Sequence, residues 1–177
     1  MIARTVHLSP RYLDVYTDHP SPLHHPVERI TIAGQTWVRR FDRRDMDEED
    51  LLLQTISLLT AEEDIVIVGY NSAIFDLPFM SMRAVALDLP PSLVSRLRRT
   101  YHVDLAYLVN RYLQPFNRWT NWRELIPVLA LPEDASKLDV TRELYERIDA
   151  LTIQNMQSRY APLRNCAIVF DDVDDAR

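Results

Sequence analysis

Cysteine and long apolar runs are scarce in this sequence. The single cysteine, Cys166, excludes a disulfide within the chain and favours a reducing setting. The longest uncharged apolar runs, such as IVIVGY, are far too short to cross a bilayer, and the N-terminus lacks the pattern of a secretory signal. The sequence therefore predicts a cytoplasmic protein with no membrane partner.

An excess of basic charge is also missing, which argues against a purely electrostatic nucleic-acid binder. The formal net charge is −6 at pH 7. The charge is uneven, however, because acids are concentrated in 45–50 and 171–177, whereas residues 96–123 contain six arginines and a single acid, Asp104. The middle of the chain is locally basic.

Glycine is rare as well, and Gly34 and Gly69 each stand at the end of an apolar, β-branched run that predicts a strand. No repeat, low-complexity segment or linker divides the chain. At 177 residues the chain is long enough for one domain, and its apolar fraction of 47% is sufficient for a hydrophobic core. We expect a single domain over 1–177, in which the acidic tail at 171–177 could be disordered.

The predicted strands come first and the helices follow. A continuous apolar run at 64–70 predicts a strand buried on both faces, and Asp47 is a predicted N-cap. We expect the other strands at 11–17, 28–34 and 35–41, a proline-rich turn at 19–26, and helices at 48–59, 92–99, 104–113, 120–129 and 139–160. This order fits an α/β fold with a mixed sheet flanked by helices.

The densest chemical signal is VGYNSAIFDLPFM at 68–80. A buried strand ends at Gly69, and Asn71, Phe75 and Asp76 follow where a helix opens. Asp76 is therefore projected from the C-terminal edge of the sheet, where ligands of α/β folds gather. The alternative is that Asp76 only caps the helix and that Phe75 belongs to the core.

This segment resembles the second acidic motif of the DEDD-type 3′–5′ exonucleases, a ribonuclease H-like superfamily. The likeness is greatest to the proofreading domains of family B DNA polymerases and their stand-alone relatives, and it depends on Asn71, Phe75 and Asp76. YLDVYT at 12–17 stands where the first motif is expected, and YHVDLAYLV at 101–109 resembles a downstream helix start. The resemblance implies a ribonuclease H-like fold and a nuclease that hydrolyses single-stranded 3′ ends, with acids holding Mg²⁺ or Mn²⁺.

The first motif departs from the family pattern of aspartate, any residue, glutamate. The resemblance makes Asp14 and Asp76 catalytic metal ligands, but Tyr16 stands where the family has its glutamate. A phenol with a pKa of about 10 is neutral at pH 7 and is a poor ligand for Mg²⁺. The sequence alone does not decide whether a site with Tyr16 in this position can catalyse hydrolysis.

The third motif has two registers. Tyr145 and Asp149 match tyrosine, three residues, aspartate on one helix face. In the family these residues orient the attacking water and bind metal. The rival register begins at Tyr160 and has Arg164 in place of the acid. We favour the first register because Pro162 interrupts any helix through the second.

Other polar residues have simpler interpretations. Asp104 is a predicted helix N-cap, His102 is more consistent with a structural role, and the histidines at 19, 24 and 25 lack the spacing of a metal site. The segment 111–124 combines arginines with tryptophans, which could contact the phosphates and bases of a single strand. With Asn71 and Phe75, it supplies the candidate nucleic-acid-binding residues Arg111, Arg118, Trp119, Trp122 and Arg123.

Three hypotheses of function remain. The first is a metal-dependent 3′–5′ exonuclease, a hydrolase acting on single-stranded DNA or RNA. The second is an inactive exonuclease-fold domain that binds nucleic acid or a protein of DNA replication or repair. The third is an unrelated α/β interaction domain. The spatial arrangement of Asp14, Asp76 and Asp149 is the observation that best separates them.

Overall fold

A five-stranded mixed sheet forms the centre of the fold, in the order β3-β2-β1-β4-β5. The computed structural model describes residues 8–113 and 119–159, with only the backbone described at 112–113 and 151–159. The strands are β1 (Ser9–Tyr16), β2 (Arg29–Ala33), β3 (Val38–Asp42), β4 (Ile65–Gly69) and β5 (Tyr101–Asp104). The α-helices are α1 (Glu48–Leu59), α2 (Leu77–Ala86), α3 (Pro91–Arg99), α4 (Leu105–Leu108) and α5 (Lys137–Arg159).

The pairing of the strands brings the polar segments to one end of the sheet. β1, β2 and β3 form an antiparallel meander in which Asp14 lies opposite Thr31. β4 and β5 are parallel to β1 and to each other, so that Leu13 lies beside Gly69, and Gly69 beside Asp104. The predicted mixed sheet with flanking helices is confirmed.

Helices cover both faces of the sheet. Successive side chains of a strand point to opposite faces, and β1 accordingly places Leu13 and Val15 in one core and Tyr12 in the other. The first core is shared with α1, α2 and α3, and the second with α4, α5 and the turns near residue 125. Every residue of β4 is buried, as its continuous apolar sequence predicts.

Two predicted elements differ from the structure. Residues 101–104 form the short strand β5, where the sequence predicted only the approach to a helix, because pairing with β4 stabilises a segment too short to show periodicity. The predicted helix at 120–129 is limited to a 3₁₀ turn, Trp122–Leu125, followed by turns. Pro127 and Pro132 are incompatible with the interior of a longer helix there.

Among the residues that the structure describes, no helix is long and apolar enough to cross a membrane.

Candidate functional site

Asp14 and Asp76 meet at a single cation, the ammonium group of Lys137. Its Nζ lies 3.1 Å from Asp14 Oδ1 and 3.1 Å from Asp76 Oδ2. The Asp76 side chain is fully buried, while 22% of the Asp14 side chain and 16% of the Lys137 side chain are exposed. The two predicted carboxylates therefore share one positive charge that the protein itself supplies.

The chain reaches Asp76 through an unusual junction after β4. Asn71 adopts a left-handed conformation with φ 64°, and a single π-helical turn, Ser72–Asp76, then leads into α2. Gly69 permits the close approach of this turn, since a Cβ at that position would lie only 2.2 Å from Ser72 Oγ. Local backbone geometry thus directs Asp76 towards the end of β1.

Asp104 fixes this junction from the neighbouring strand. Its carboxylate accepts hydrogen bonds from the backbone N–H groups of Asn71 and Ala73, both at 2.9 Å. It also caps α4 by accepting from the N–H of Ala106, as predicted. His102 Nε2 lies 2.8 Å from Ser72 Oγ, so both polar residues at the end of β5 contact the turn that positions Asp76.

Lys137 is the first residue of α5, and the start of this helix is fixed by a reciprocal cap. The Asp139 carboxylate accepts from both the N–H and the hydroxyl of Ser136, and the Asp139 N–H donates to Ser136 Oγ. Such a capping box defines where a helix begins. The cap therefore determines which side chain of α5 enters the space between the two acids.

The electrostatics of the pair follow from burial and proximity. Burial raises the pKa of Asp76 above its ordinary range; Lys137 opposes this rise, and the nearby Asp14 adds to it. Burial disfavours the charged form of Lys137, but Asp76 and Asp14 outweigh it and raise the pKa of the ammonium. Lys137 is therefore charged at neutral pH and offsets the charge of the acids.

The residues at this site do not fit the two-metal chemistry that the resemblance implies. Two adjacent divalent ions require several carboxylates and free coordination positions, but the space between Asp14 and Asp76 is filled by an ammonium. Tyr16 does not add a ligand: its side chain is 46% exposed, its hydroxyl donates to Asp18, and its ring lies under Arg29. Within the described ranges, no group of three or more histidine, cysteine or acidic residues could hold a metal ion.

The candidate third motif lies at a distance from the acid pair. The ring of Tyr145 packs edge-on against Tyr12, with centroids 6.0 Å apart, and Asp149 is exposed. Asp149 follows Lys137 by twelve residues on the same helix, a rise of about 18 Å. The structure thus brings Asp14 and Asp76 together and does not bring Asp149 to them. The rival pair Tyr160 and Arg164 lies outside the described residues.

Several of the candidate nucleic-acid-binding residues border two adjoining cavities. A cavity of about 360 Å³ is lined by Lys137, Tyr70, Asn71 and the segment 119–122. A second, of about 500 Å³, is lined by Tyr107, Asn110, Arg111 and Trp119. Trp119 borders both cavities and is 50% exposed. The first cavity therefore has both Lys137, the partner of the two acids, and an aromatic surface in its lining.

The remaining candidates have other environments. The guanidinium of Arg123 lies 4.6 Å from the centre of the Trp122 ring. Phe75 packs against Phe79 and the core shared with α1, α2 and α3. Arg118 lies outside the residues that the structure describes.

Lys137 is the residue of this candidate site that sequence reasoning missed. The acids were found from motifs, whereas no motif points to this lysine. One signal was present, because Lys137 is the only lysine among 20 basic residues, the others being arginines. The one lysine differs from these arginines because its ammonium is a compact point charge.

Comparisons with known proteins identify the fold. Neither a family model nor a curated protein sequence matches the chain. Among solved structures, the family B DNA polymerase of the hyperthermophilic archaeon Pyrobaculum calidifontis is similar over 83% of this chain, with 19% identity and a TM-score of 0.66. The zinc-bound form of an E. coli ExoI–ssDNA complex is similar over 88%, with 13% identity and a TM-score of 0.62. An ExoI/SSB-Ct complex is similar over 88%, with 12% identity and a TM-score of 0.60.

These similarities extend over only part of the larger proteins. The matched region is 25% of the polymerase chain and 42% of each exonuclease chain. At such low identity the similarity establishes architecture alone, and it agrees with the mixed sheet flanked by helices. The chain has the ribonuclease H-like fold shared by family B polymerases and exonuclease I.

Proposed function

We propose that this chain is an exonuclease-fold domain that binds single-stranded nucleic acid at its 3′ end without hydrolysing it. The observation that supports this most directly is an aromatic cavity that is also lined by Lys137, the cationic partner of both acids. Trp119 and Asn71 border the same cavity as Lys137. A strand end in that cavity would contact the position where the fold's chemistry is expected, but would meet an ammonium there.

The cavity has the features of a single-strand binder. A half-exposed indole offers a face on which an unpaired base can stack, and this contact depends little on base identity. Arg111 borders the neighbouring cavity and is exposed, so it is available for a phosphate. The net charge of −6 limits long-range attraction, so we expect stacking to contribute much of the affinity.

The absence of hydrolysis follows from the ligand set. In two-metal phosphodiester hydrolysis the ions activate the nucleophile and stabilise the leaving oxygen. Here Asp14 and Asp76 already have a cationic partner, and Tyr16 faces solvent instead of adding a carboxylate. A protein of replication or repair is the further partner that this class of domain would meet on single-stranded DNA.

A second candidate is a Mg²⁺- or Mn²⁺-dependent 3′–5′ exonuclease. It is favoured by one observation, namely that the Asp14 and Asp76 carboxylates lie within 3.1 Å of a common cation position. In that case Lys137 must move away when metal and substrate bind, with Asp149 and Tyr145 as further predicted site residues. Activity would require divalent metal and would be lost in Asp76→Ala.

One experiment separates these candidates. End-labelled single-stranded DNA, single-stranded RNA and duplex DNA are incubated with the protein in EDTA, Mg²⁺ or Mn²⁺, and both binding and shortening are recorded. We expect single strands to bind in all three conditions and to stay intact. Metal-dependent shortening from the 3′ end that disappears in Asp76→Ala would establish the second candidate, and failure to bind any strand would contradict the first.

A further inference from the structure

The geometry points to a specific role for Lys137: its ammonium is a tethered cation in the place of a divalent ion, and its removal creates a metal site at Asp14 and Asp76. This inference rests on the proposed loss of the metal site, but it is independent of nucleic-acid binding. It concerns an exchange of one cation for another at the same two carboxylates.

A cation at this position stabilises the charged form of the acids. Asp76 is fully buried, and Asp14, which is only partly exposed, contacts the same ammonium. Two neighbouring carboxylates repel each other, and burial of a charge without a partner is costly. Lys137 Nζ lies 3.1 Å from each carboxylate, so its positive charge reduces their repulsion and gives the buried charge a partner. The two carboxylates at this edge of the sheet therefore have a cationic partner without a metal ion.

Lysine suits this position better than arginine does. An ammonium is a compact point charge with three donors, whereas a guanidinium is planar and presents its donors in a fork. Between Asp14 and Asp76, one ammonium nitrogen contacts both carboxylates. The chain uses arginine at every other basic position, including Arg142 on the same helix.

Without the lysine side chain, the same atoms form a ligand set for a hard cation. Carboxylate oxygens are the preferred ligands of Mg²⁺ and Mn²⁺, and water completes a coordination sphere that the protein fills only in part. The fold holds Asp76 through the junction at Gly69 and Asp104, which does not involve Lys137. A variant with alanine at this position should therefore retain both acids and gain room for the ion and its water.

The test compares divalent-metal binding by the wild type and Lys137→Ala in the absence of nucleic acid. Mn²⁺ is titrated calorimetrically, and thermal unfolding is followed with EDTA or Mn²⁺. We expect no binding and no stabilisation of the wild type. Lys137→Ala should unfold at a lower temperature in EDTA, bind Mn²⁺, and recover part of the lost stability in its presence.

Two controls locate the effect. Adding Asp76→Asn to Lys137→Ala should abolish the Mn²⁺ response, because one carboxylate is lost. Arg147→Ala removes a basic residue of the same helix that pairs with Glu143 at the surface, and it should behave like the wild type towards Mn²⁺. Lys137→Met retains the apolar stem if the alanine variant fails to fold, and it should also bind Mn²⁺.

The wild type provides a readout that needs no variant. As the chain has one lysine, ¹⁵N-lysine labelling gives a single side-chain ammonium signal. We expect this signal to be unchanged by Mg²⁺. Displacement of the ammonium by Mg²⁺, equal Mn²⁺ affinity of the wild type and Lys137→Ala, or folded substituted variants that bind no Mn²⁺ would each overturn the inference. Loss of nucleic-acid binding alone would contradict only the proposed function.

Discussion

The first turn and the middle of α5 differ in a way that sequence motifs do not reveal. Its first residue, Lys137, is largely buried and contacts both acids at the sheet edge. Further along, Asp149 has the spacing of a family ligand but is exposed. Twelve residues of helix separate Asp149 from Lys137, which is a rise of about 18 Å. Correct spacing within a helix therefore does not place a side chain at a site; the position of the whole helix does.

The largest difference that we expect is in stability. Lys137→Ala leaves a buried carboxylate without its cation, and breaking a buried pair in this way should lower the free energy of unfolding by about 3 kcal/mol. Asp149→Ala removes an exposed side chain and should change it by less than about 0.5 kcal/mol. Urea denaturation of both variants measures the contrast, and similar losses would show that positions 137 and 149 are energetically alike.

A second difference concerns ligand binding beside the Lys137 end. Trp119→Ala should weaken the binding of a short single-stranded oligonucleotide by about 2 kcal/mol, because a stacked base loses its platform. Tyr101→Ala is a matched control, since Tyr101 is 46% exposed but begins β5, away from the cavities. Fluorescence anisotropy measures both affinities. Equal affinities would remove Trp119 from the binding surface.

A third difference concerns metal binding next to Asp14 in the first motif. Asp14 and Tyr16 lie on the same side of β1, two residues apart. In a Lys137→Ala background, Tyr16→Glu should therefore strengthen Mn²⁺ binding about tenfold by adding a hard oxygen ligand. Calorimetry measures this gain, and Tyr16→Gln is the uncharged control. An unchanged affinity would mean that position 16 does not reach the ion.

The smallest expected effect is a pH dependence at the junction. Burial lowers the pKa of His102, although Asp104 opposes this. The native state then binds fewer protons than the unfolded state, so this contribution to stability is present above pH about 6.5 and is lost as the pH falls through the folded pKa. His102→Gln should lose less stability than the wild type between pH 7.5 and 5. Urea denaturation at both pH values provides the measurement, and identical losses would contradict this assignment.

Much of the fold could be predicted because its signals are local. The apolar run of β4, the hairpin of β2 and β3, and the Asp47 cap of α1 each depend on adjacent residues, and the structure has all of them. β5 could not be predicted from its own four residues, because its stability comes from pairing with β4. Short strands with distant partners leave little periodicity in the sequence.

The site was predictable only in part for the same reason. Asp14 and Asp76 could be named because Asp14 lies in a recognisable strand and Asp76 follows another, and the structure brings them together. Their contact with Lys137 depends on how a helix more than sixty residues later returns to the sheet. No local pattern encodes that return. The single lysine of the chain was the only signal in the sequence, and it does not show where in the fold its ammonium group lies.

The most direct test of this account is crystallographic. Wild-type crystals are soaked in Mn²⁺, and anomalous scattering locates the metal. We expect no manganese between Asp14 and Asp76, with Lys137 Nζ in contact with both carboxylates. A manganese peak between the two acids, with the lysine side chain turned away, would contradict it and would favour a metal-dependent exonuclease.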